Sequence, residues 1–290
     1  MHLFDLHCDT LYRVYTENLS IQDDSLSITP IKSEFFEKYT QFMAVWIPDC
    51  IRGEKAFEFF KSCADIYRDF YLPFNDEDRN FYLSVENGSV ISGDLSKIPL
   101  LKEYGVKAVT IVYNEDNELG SGAFSESKFG LTSIGKKAVE VFEKNNIYID
   151  LSHSSVRTFY DVAEISNKPI IATHSNSYSL CPHKRNLTDE QFEIIKNSGG
   201  VVGINFYPPF LNPDDSKASV NDVIKHIYHF LSLGGEDSVC IGSDFDGCDA
   251  LKELDSIDKM PFLYDTLLKS GFNEQVVQKI MYKNAHNLFT

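Results

Sequence analysis

Short apolar runs alternate with helical patterns along most of this chain. Eight runs have the length of strands, and most precede a segment whose apolar residues recur at helical spacing. The predicted strands cover residues 3–6, 41–47, 81–86, 106–113, 147–153, 169–174, 201–206 and 239–244. The predicted helices cover residues 52–70, 134–144, 156–166, 188–199, 220–231 and 273–288. Because strands that alternate with helices form parallel sheets, and eight strands can close a barrel, the pattern predicts an α/β fold of the TIM (β/α)8 type.

The domain organisation follows from what lies between these elements. No Gly-, Ser- or Pro-rich linker divides the sequence, and it contains no internal repeat or low-complexity tract. Residues 1–290 are therefore predicted to form a single domain. Residues 115–132, rich in Gly, Ser and Glu, are predicted to form a loop over the top of the barrel.

Net charge limits the partners that this chain can bind, and the cysteines and apolar segments bear on its disulfides and location. The sequence has 27 Lys and Arg against 43 Asp and Glu, a net charge of −16. Nucleic acid and anionic membranes are poor partners for such a chain. The six cysteines form no CxxC pair, so no disulfide scaffold is expected. With no signal peptide or long apolar span, a cytoplasmic location is expected.

Polar and metal-binding residue types stand at the C-terminal ends of the predicted strands. They are His7, Asp9, Glu86, Tyr113, Asn114, His153, His174, Asp244 and Asp246. Taken alone, the spacing His7-x-Asp9 is more typical of a helix cap or a solvated turn than of a metal site. The carboxyl ends of all strands meet at one mouth of a barrel, however, and five strands end in His, Asp or Glu. Together these ends indicate a metal centre.

The number of candidate ligands indicates two metal ions. The candidates are His7, Asp9, Glu86, His153 and His174. One catalytic zinc usually takes three protein ligands and a water, so five ligands are too many for a single ion. A carboxylate can bridge two ions, and a hydroxide shared between them would be a nucleophile at neutral pH.

Six short motifs carry a family resemblance. In chain order they are Asp5-x-His7-x-Asp9, Val85-Glu86, residues 150–154 (Asp-Leu-Ser-His-Ser), Thr173-His174-Ser175, Arg185-Asn186 and residues 242–247 (Gly-x-Asp-Phe-Asp-Gly). Together they resemble the membrane (renal) dipeptidase family of zinc peptidases. The resemblance spans essentially the whole chain, because the last residues also look like that family's C-terminal helix.

The resemblance implies a TIM barrel that holds two Zn²⁺ ions per subunit. By motif match, the ligands are His7, Asp9 and Glu86 for one ion and Glu86, His153 and His174 for the other. Arg185 corresponds to the residue that binds the substrate's terminal carboxylate. Asp244 corresponds to the acid that contacts substrate and assists proton transfer, so Glu86 and Asp244 are the predicted catalytic residues. Homodimers are common in this family, so a homodimer is possible here.

One position departs from the best-known family members. They carry a His that stabilises the reacting carbonyl oxygen, whereas the fourth strand of this chain ends in Tyr113 and Asn114. A phenol can donate a hydrogen bond to an oxyanion, although it has no cationic form. We assign both residues to substrate binding. The secretion and lipid-attachment signals of the anchored members are not found here, so membrane attachment is not carried over.

These observations lead to the hypothesis of a cytoplasmic dipeptidase with two zinc ions and a metal-bridging hydroxide. One alternative is a metal-dependent amidohydrolase that acts on another amide, an ester or a lactone. Many such barrels bridge their metals with a modified Lys on the fourth strand, and no Lys ends that strand here. The other alternative is a catalytically inactive peptide-binding homologue, which the unusual Tyr113 keeps open.

Overall fold

A single curled parallel sheet organises the chain in this computed structural model, which describes residues 1–127 and 129–290. The strands are β1 (His2–Cys8), β2 (Lys38–Trp46), β3 (Arg79–Glu86), β4 (Val106–Thr110), β5 (Tyr148–Asp150), β6 (Val202–Ile204) and β7 (Val239–Ile241). Their order across the sheet is β5-β4-β3-β2-β1-β7-β6. Every pairing is parallel, as expected when helices carry the chain back between strands.

Helices connect the strands and cover the outside of the sheet. They are α1 (Thr10–Thr16), α2 (Pro30–Ser33), α3 (Glu54–Ile66), α4 (Lys97–Glu103), α5 (Ser133–Lys144), α6 (Val156–Ile165), α7 (Asp189–Asn197), α8 (Pro208–Leu211), α9 (Val220–Ser232), α10 (Met260–Lys269), α11 (Glu274–Gln278) and α12 (Asn284–Phe289). A π-helical turn (Lys279–Lys283) joins α11 to α12. Over the described residues, no helix combines the length and the apolar character needed to cross a lipid bilayer.

Residues 169–174, predicted as the sixth strand, lie between β5 and β6 but do not form a regular strand. Single parallel bridges connect Ile171 to Asp150 of β5 and Ala172 to Val202 of β6. Because β1 also pairs with β7, the ring of neighbouring segments is complete. The arrangement is consistent with a TIM-like barrel, although the described residues contain seven regular strands where eight were predicted.

Side-chain hydrogen bonds explain why the ladder is broken at this segment. The backbone N–H of Thr173 donates to the Asp150 carboxylate at 3.0 Å, not to a backbone carbonyl. The Thr173 hydroxyl donates to the same carboxylate at 2.6 Å. A buried aspartate therefore replaces part of the backbone pairing between the two segments.

The barrel interior is filled by alternate strand residues and closed by the C-terminal helix. Phe4 and Leu6 of β1 belong to one buried cluster with residues from β2, β4 and β7. Side chains from strands so far apart can meet only inside the ring. Phe289 of α12 joins this cluster, with its ring centroid 4.8 Å from that of Phe42. This packing closes the amino end of the barrel and leaves the carboxyl end for chemistry.

A register shift in β1 decides where His7 points. Strict alternation would place Cys8 with the interior residues Phe4 and Leu6. The pairing between β1 and β2 instead shifts between Asp5 and Cys8. Cys8 consequently packs in the outer apolar cluster, and the His7 side chain turns into the mouth of the barrel.

Neighbouring strands approach so closely at Gly242 that this position has no room for a side chain. A Cβ at this position would lie 1.8 Å from the Thr173 carbonyl oxygen. We expect Gly242→Ala to lower the free energy of unfolding by about 3 kcal/mol, since the backbone around it would have to move. Urea unfolding followed by circular dichroism measures the loss.

Gly199→Ala is the matched control for that experiment. Gly199 has a φ of +82°, but its added Cβ would meet no atom of the described residues closer than 3.8 Å. Gly199→Ala should therefore lower the free energy of unfolding by only about 1 kcal/mol, the cost of a left-handed backbone conformation in a residue with a Cβ. Equal losses for the two variants would contradict the packing argument.

Candidate metal centre and substrate site

The five predicted metal ligands come together around one carboxylate oxygen at the barrel mouth. Glu86 is the last residue of β3, and its Oε1 lies 2.9 Å from His153 Nε2 and 3.4 Å from His174 Nε2. The same oxygen lies 3.9 Å from His7 Nε2, which is 3.3 Å from Asp9 Oδ2. All five residues are buried, although they come from distant parts of the chain.

The geometry does not support a capping role for the Asp9 side chain. Asp9 occupies the N-cap position of α1 but makes no side-chain capping hydrogen bond. Its Oδ1 is buried and has no hydrogen-bond partner among the described residues. A Cβ on Gly247 would lie 2.0 Å from its Oδ2, so glycine is needed beside this carboxylate. An orphaned buried oxygen of this kind suits a bound cation.

Outer hydrogen bonds fix the tautomers of two histidines. His153 Nδ1 lies 2.9 Å from Asn114 Oδ1, an acceptor, so Nδ1 carries the proton. The Thr173 hydroxyl gives its proton to Asp150 Oδ2 and can therefore only accept from His174 Nδ1, 2.8 Å away. Both Nε2 atoms are left with lone pairs, the form in which imidazole binds a metal.

These lone pairs face one another and need a cation between them. His153 Nε2 and His174 Nε2 are 2.9 Å apart, and Glu86 Oε1 is close to both. Burial and the nearby positive charges of Arg185 and His7 lower the pKa of both imidazoles well below the usual value, so both are neutral. Three electron-rich atoms at these distances fit a divalent metal ion.

The carboxylates set the charge state of the rest of the cluster. Burial acts to lower the pKa of His7, but Asp9 and Glu86 outweigh it and raise that pKa to about 10. Burial, followed by the negative charge of Asp9, raises the pKa of Glu86 well above its usual value. Burial also raises the pKa of Asp244 to about 6. Without a metal the cluster therefore retains protons, and a divalent cation would take their place.

Strained backbone is concentrated at this mouth. Seven described residues other than glycine have a positive φ, and four of them follow the strands that carry the site. These are Asn87 (φ 92°), His153 (φ 68°), Asp244 (φ 65°) and Asp246 (φ 63°). Such conformations persist only where surrounding contacts hold them, and they are frequent at functional sites.

Arg185 presents a buried guanidinium beside the cluster. Its side chain is 4% exposed and lies over the Phe210 ring, 5.4 Å from the centroid. One Nη2 contact to the His174 carbonyl oxygen is 3.5 Å long, and Nε has no hydrogen-bond partner in the described parts of the chain. A planar cation with free donors matches a ligand carboxylate.

Asp244 is oriented by a residue that the motifs did not include. Asn205, just after β6, donates from Nδ2 to Asp244 Oδ2 at 2.9 Å. Asp244 Oδ1 is thereby turned toward His7 Nε2, 3.9 Å away. Asn205 lies at the end of a predicted strand, and that position is the signal that could have found it.

Two aspartates near the ligands have structural contacts. Asp246 accepts hydrogen bonds from Thr10 Oγ1 at 2.5 Å and from Arg13 Nη1 at 3.1 Å, so it ties α1 to the loop after β7. Asp5 accepts from the Ser243 backbone N–H at 2.9 Å and holds the end of β7. Neither carboxylate belongs to the ligand cluster.

Tyr113 and Asn114 occupy different positions relative to the histidines. The Tyr113 ring packs on His153 with centroids 4.4 Å apart. Asn114 uses its Oδ1 on His153 Nδ1, so its observed contact orients a candidate ligand. Its assignment to substrate binding stays a prediction, although it also lines the smaller of two cavities.

Two cavities meet at the cluster. The larger has a volume of about 1140 Å³ and includes Asp9, Glu86 and Trp46 in its wall. The smaller has a volume of about 490 Å³ and includes Arg185 and Phe210. His153, Tyr113 and Asp244 line both, so a ligand at the cluster can extend in two directions.

Comparison with known proteins identifies the family. The membrane dipeptidase family, peptidase family M19, matches residues 49–290. This chain belongs to that family. An uncharacterized protein in the pqqA 5′ region of Klebsiella pneumoniae is 34% identical over 209 residues, which cover 69% of this chain and 77% of that protein. The assignment places the chain in a family of metallo-dipeptidases.

Further relatives support the family and the fold. An uncharacterized dipeptidase of Schizosaccharomyces pombe is 33% identical over 192 residues, or 62% of this chain, but the match spans only 46% of the yeast protein's length. The crystal structure of dipeptidase AC, a metallopeptidase of family M19, superposes with a TM-score of 0.90 at 25% identity. That comparison covers 100% of this chain and 98% of the other.

The outer hydrogen bonds allow a direct test of how the ligands are positioned. We expect Thr173→Val to lower the affinity for a divalent metal by about 10- to 100-fold, because His174 Nδ1 loses the acceptor that fixes its tautomer. Competition with a chromogenic chelator, with Zn²⁺ as the probe ion, measures this change.

Thr110→Val provides the control. Thr110 Oγ1 also donates to Asp150 Oδ2, at 2.8 Å, but its hydrogen bond is to Asp150 and not to a candidate ligand. Both variants lose a hydroxyl hydrogen bond to Asp150, but only Thr173→Val also leaves the His174 Nδ1–H without its acceptor. Thr110→Val should therefore lose less stability and keep the metal affinity of the wild type. If Thr110→Val weakened metal binding as much as Thr173→Val, the tautomer argument would be wrong.

Proposed function

We propose that this protein is a zinc-dependent dipeptidase that hydrolyses the peptide bond of a dipeptide. One observation carries the proposal: a carboxylate surrounded by three imidazole nitrogens lies in the same mouth as a buried guanidinium whose Nε has no hydrogen-bond partner among the described residues. The first arrangement suits metal-assisted hydrolysis, and the second suits a substrate with a free carboxylate. A dipeptide brings both groups within one short molecule.

The ligand geometry supports two zinc ions per subunit. His7 and Asp9 would hold one ion, His153 and His174 would hold the other, and Glu86 would contact both. When bound, the two ions would supply Lewis-acid polarisation of the carbonyl and a shared water with a pKa of about 7, the source of the bridging hydroxide.

The chain's own residues position the substrate and handle the proton. Arg185 would bind the C-terminal carboxylate through its fork of donors. Asp244 Oδ2 is occupied by Asn205, so Oδ1 is the atom available to pass a proton to the departing amine. The Tyr113 hydroxyl would donate to the carbonyl oxygen, in the role for which related enzymes carry a histidine.

The acidic composition and the buried position of Arg185 favour a small zwitterionic substrate over a nucleic acid or another polyanion. With a net charge of −16, the surface repels polyanions, while a single buried guanidinium accepts one carboxylate locally. The substrate class proposed is therefore a free dipeptide.

Metal removal tests the core of the proposal. We expect chelator-treated protein to lose dipeptide hydrolysis and two equivalents of Zn²⁺ to restore it. Glu86→Ala should lower metal affinity by at least about 100-fold, because a bridging ligand contributes more than an outer partner. Metal content by mass spectrometry and kcat/KM for a dipeptide are the two measurements.

Glu103→Ala is the control for Glu86→Ala. Glu103 is an exposed residue at the end of α4 and lies before β4, away from the mouth. The Glu103→Ala protein should bind Zn²⁺ and hydrolyse the dipeptide as the wild-type protein does. A Glu86→Ala protein that kept both metals and full activity would overturn the bridging arrangement.

The role of Arg185 is tested by removing either side of its contact. Arg185→Ala should raise KM by about 10- to 100-fold, the size of a lost hydrogen bond between charged groups. A dipeptide amide, which has no carboxylate, should show the same loss with the wild-type enzyme.

A double-mutant cycle decides whether the two losses report one contact. With the dipeptide amide as substrate, Arg185→Ala should cause little further loss of activity. The control is Lys184→Ala, which removes an exposed neighbouring cation and should change KM by no more than about twofold. Additive losses for Arg185→Ala and the amide would remove Arg185 from the carboxylate site.

A further inference from the structure

The two cavities assign the two ends of a dipeptide, given the proposed function. Arg185 lines only the smaller cavity, so the C-terminal residue extends there. Glu86 and Asp9 line only the larger cavity, and the scissile bond lies at their cluster. The N-terminal residue must therefore extend into the larger cavity.

A row of aromatic rings forms the wall of the larger cavity next to the cluster. Tyr12 and Trp46 have ring centroids 4.6 Å apart, and Trp46 and Tyr113 have centroids 5.4 Å apart. All three residues line this cavity. Trp46 ends β2 and pairs in register with Glu86, which fixes the row beside the metal centre.

We propose that Tyr12, Trp46 and Tyr113 form the binding subsite for the side chain of the substrate's N-terminal residue, and that this subsite selects aromatic and large apolar side chains. Trp46 already packs against both tyrosines, so a further ring can stack on this row with little loss of conformational entropy.

The composition of the chain supplies a direct probe of this subsite. Trp46 is the single tryptophan, so intrinsic tryptophan fluorescence reports on this wall alone. Binding can therefore be followed on metal-free protein, in which no hydrolysis occurs. This measurement is independent of catalysis.

The test compares dipeptides that differ only at the N-terminal residue. For the zinc-loaded enzyme we expect kcat/KM for Phe-Gly to exceed that for Ala-Gly by about tenfold, mainly through KM, from one additional aromatic contact. Tyr12→Ala should reduce this ratio to about threefold or less. Phe-Gly should also change Trp46 fluorescence of the metal-free protein at lower concentration than Ala-Gly does.

Phe124→Ala is the matched control, because Phe124 lines only the smaller cavity. It should lower kcat/KM for Gly-Phe and leave the ratio of Phe-Gly to Ala-Gly unchanged. A Phe124→Ala variant that abolished that ratio, while Tyr12→Ala preserved it, would reverse the assignment of the two cavities and overturn the proposal.

The remaining outcomes separate this proposal from the proposed function. Hydrolysis of Ala-Gly and Phe-Gly at equal efficiency would overturn the aromatic subsite and leave the dipeptidase function standing. Hydrolysis of neither dipeptide by zinc-loaded protein, with the fluorescence preference for Phe-Gly retained, would overturn the dipeptidase function and support the subsite. Absence of both the hydrolytic and the fluorescence preference would overturn the subsite.

Discussion

Mutual repulsion among the ligand atoms is the constraint on which the site depends. Glu86 Oε1 and the Nε2 atoms of His153 and His174 lie within 2.9–3.4 Å of one another, and the outer hydrogen bonds leave both nitrogens without a proton. Electron-rich atoms stay this close only when a cation or a proton lies between them. Folding of the barrel thus supplies a preorganised site whose free energy is lowered by binding a metal.

The fold places the closely spaced ligand atoms at one end of the barrel and the apolar packing that stabilises it at the other. Apolar side chains fill the interior toward the amino end, and α12 closes it with Phe289. The carboxyl end carries the polar cluster and the residues with positive φ. Because the strained loops connect long-range elements of a closed sheet, local strain at His153 or Asp244 is compensated by the packing of the whole barrel.

The two cavities give the site a direction. A buried guanidinium lies on one side of the candidate ligand cluster, and an aromatic wall lies on the other. One side fixes a charge, whereas the other offers apolar surface that can discriminate between side chains. Despite the strongly negative net charge, the smaller cavity has a cation in its wall, where Arg185 lies over the Phe210 ring.

Much of the fold and the choice of candidate ligands followed from local patterns. The apolar runs predicted the parallel α/β architecture, and the polar residues at their ends marked the mouth. The sixth strand was predicted as regular but is held through Asp150 and Thr173, because side-chain hydrogen bonds compete with the backbone ladder there. Asn205 was missed, since an amide at a strand end carries no metal-binding signal by itself.

His7 shows which features the sequence determined and which features only the tertiary structure decided. The sequence by itself determined which residue types follow each strand, because hydrophobic periodicity and residue chemistry are local properties. Alternation alone would have turned His7 away from the interior, and only the register shift in β1 brings it to Glu86. The tertiary structure also decided that Trp46 stands beside that glutamate, since strand register and ring closure depend on contacts between residues far apart in the chain.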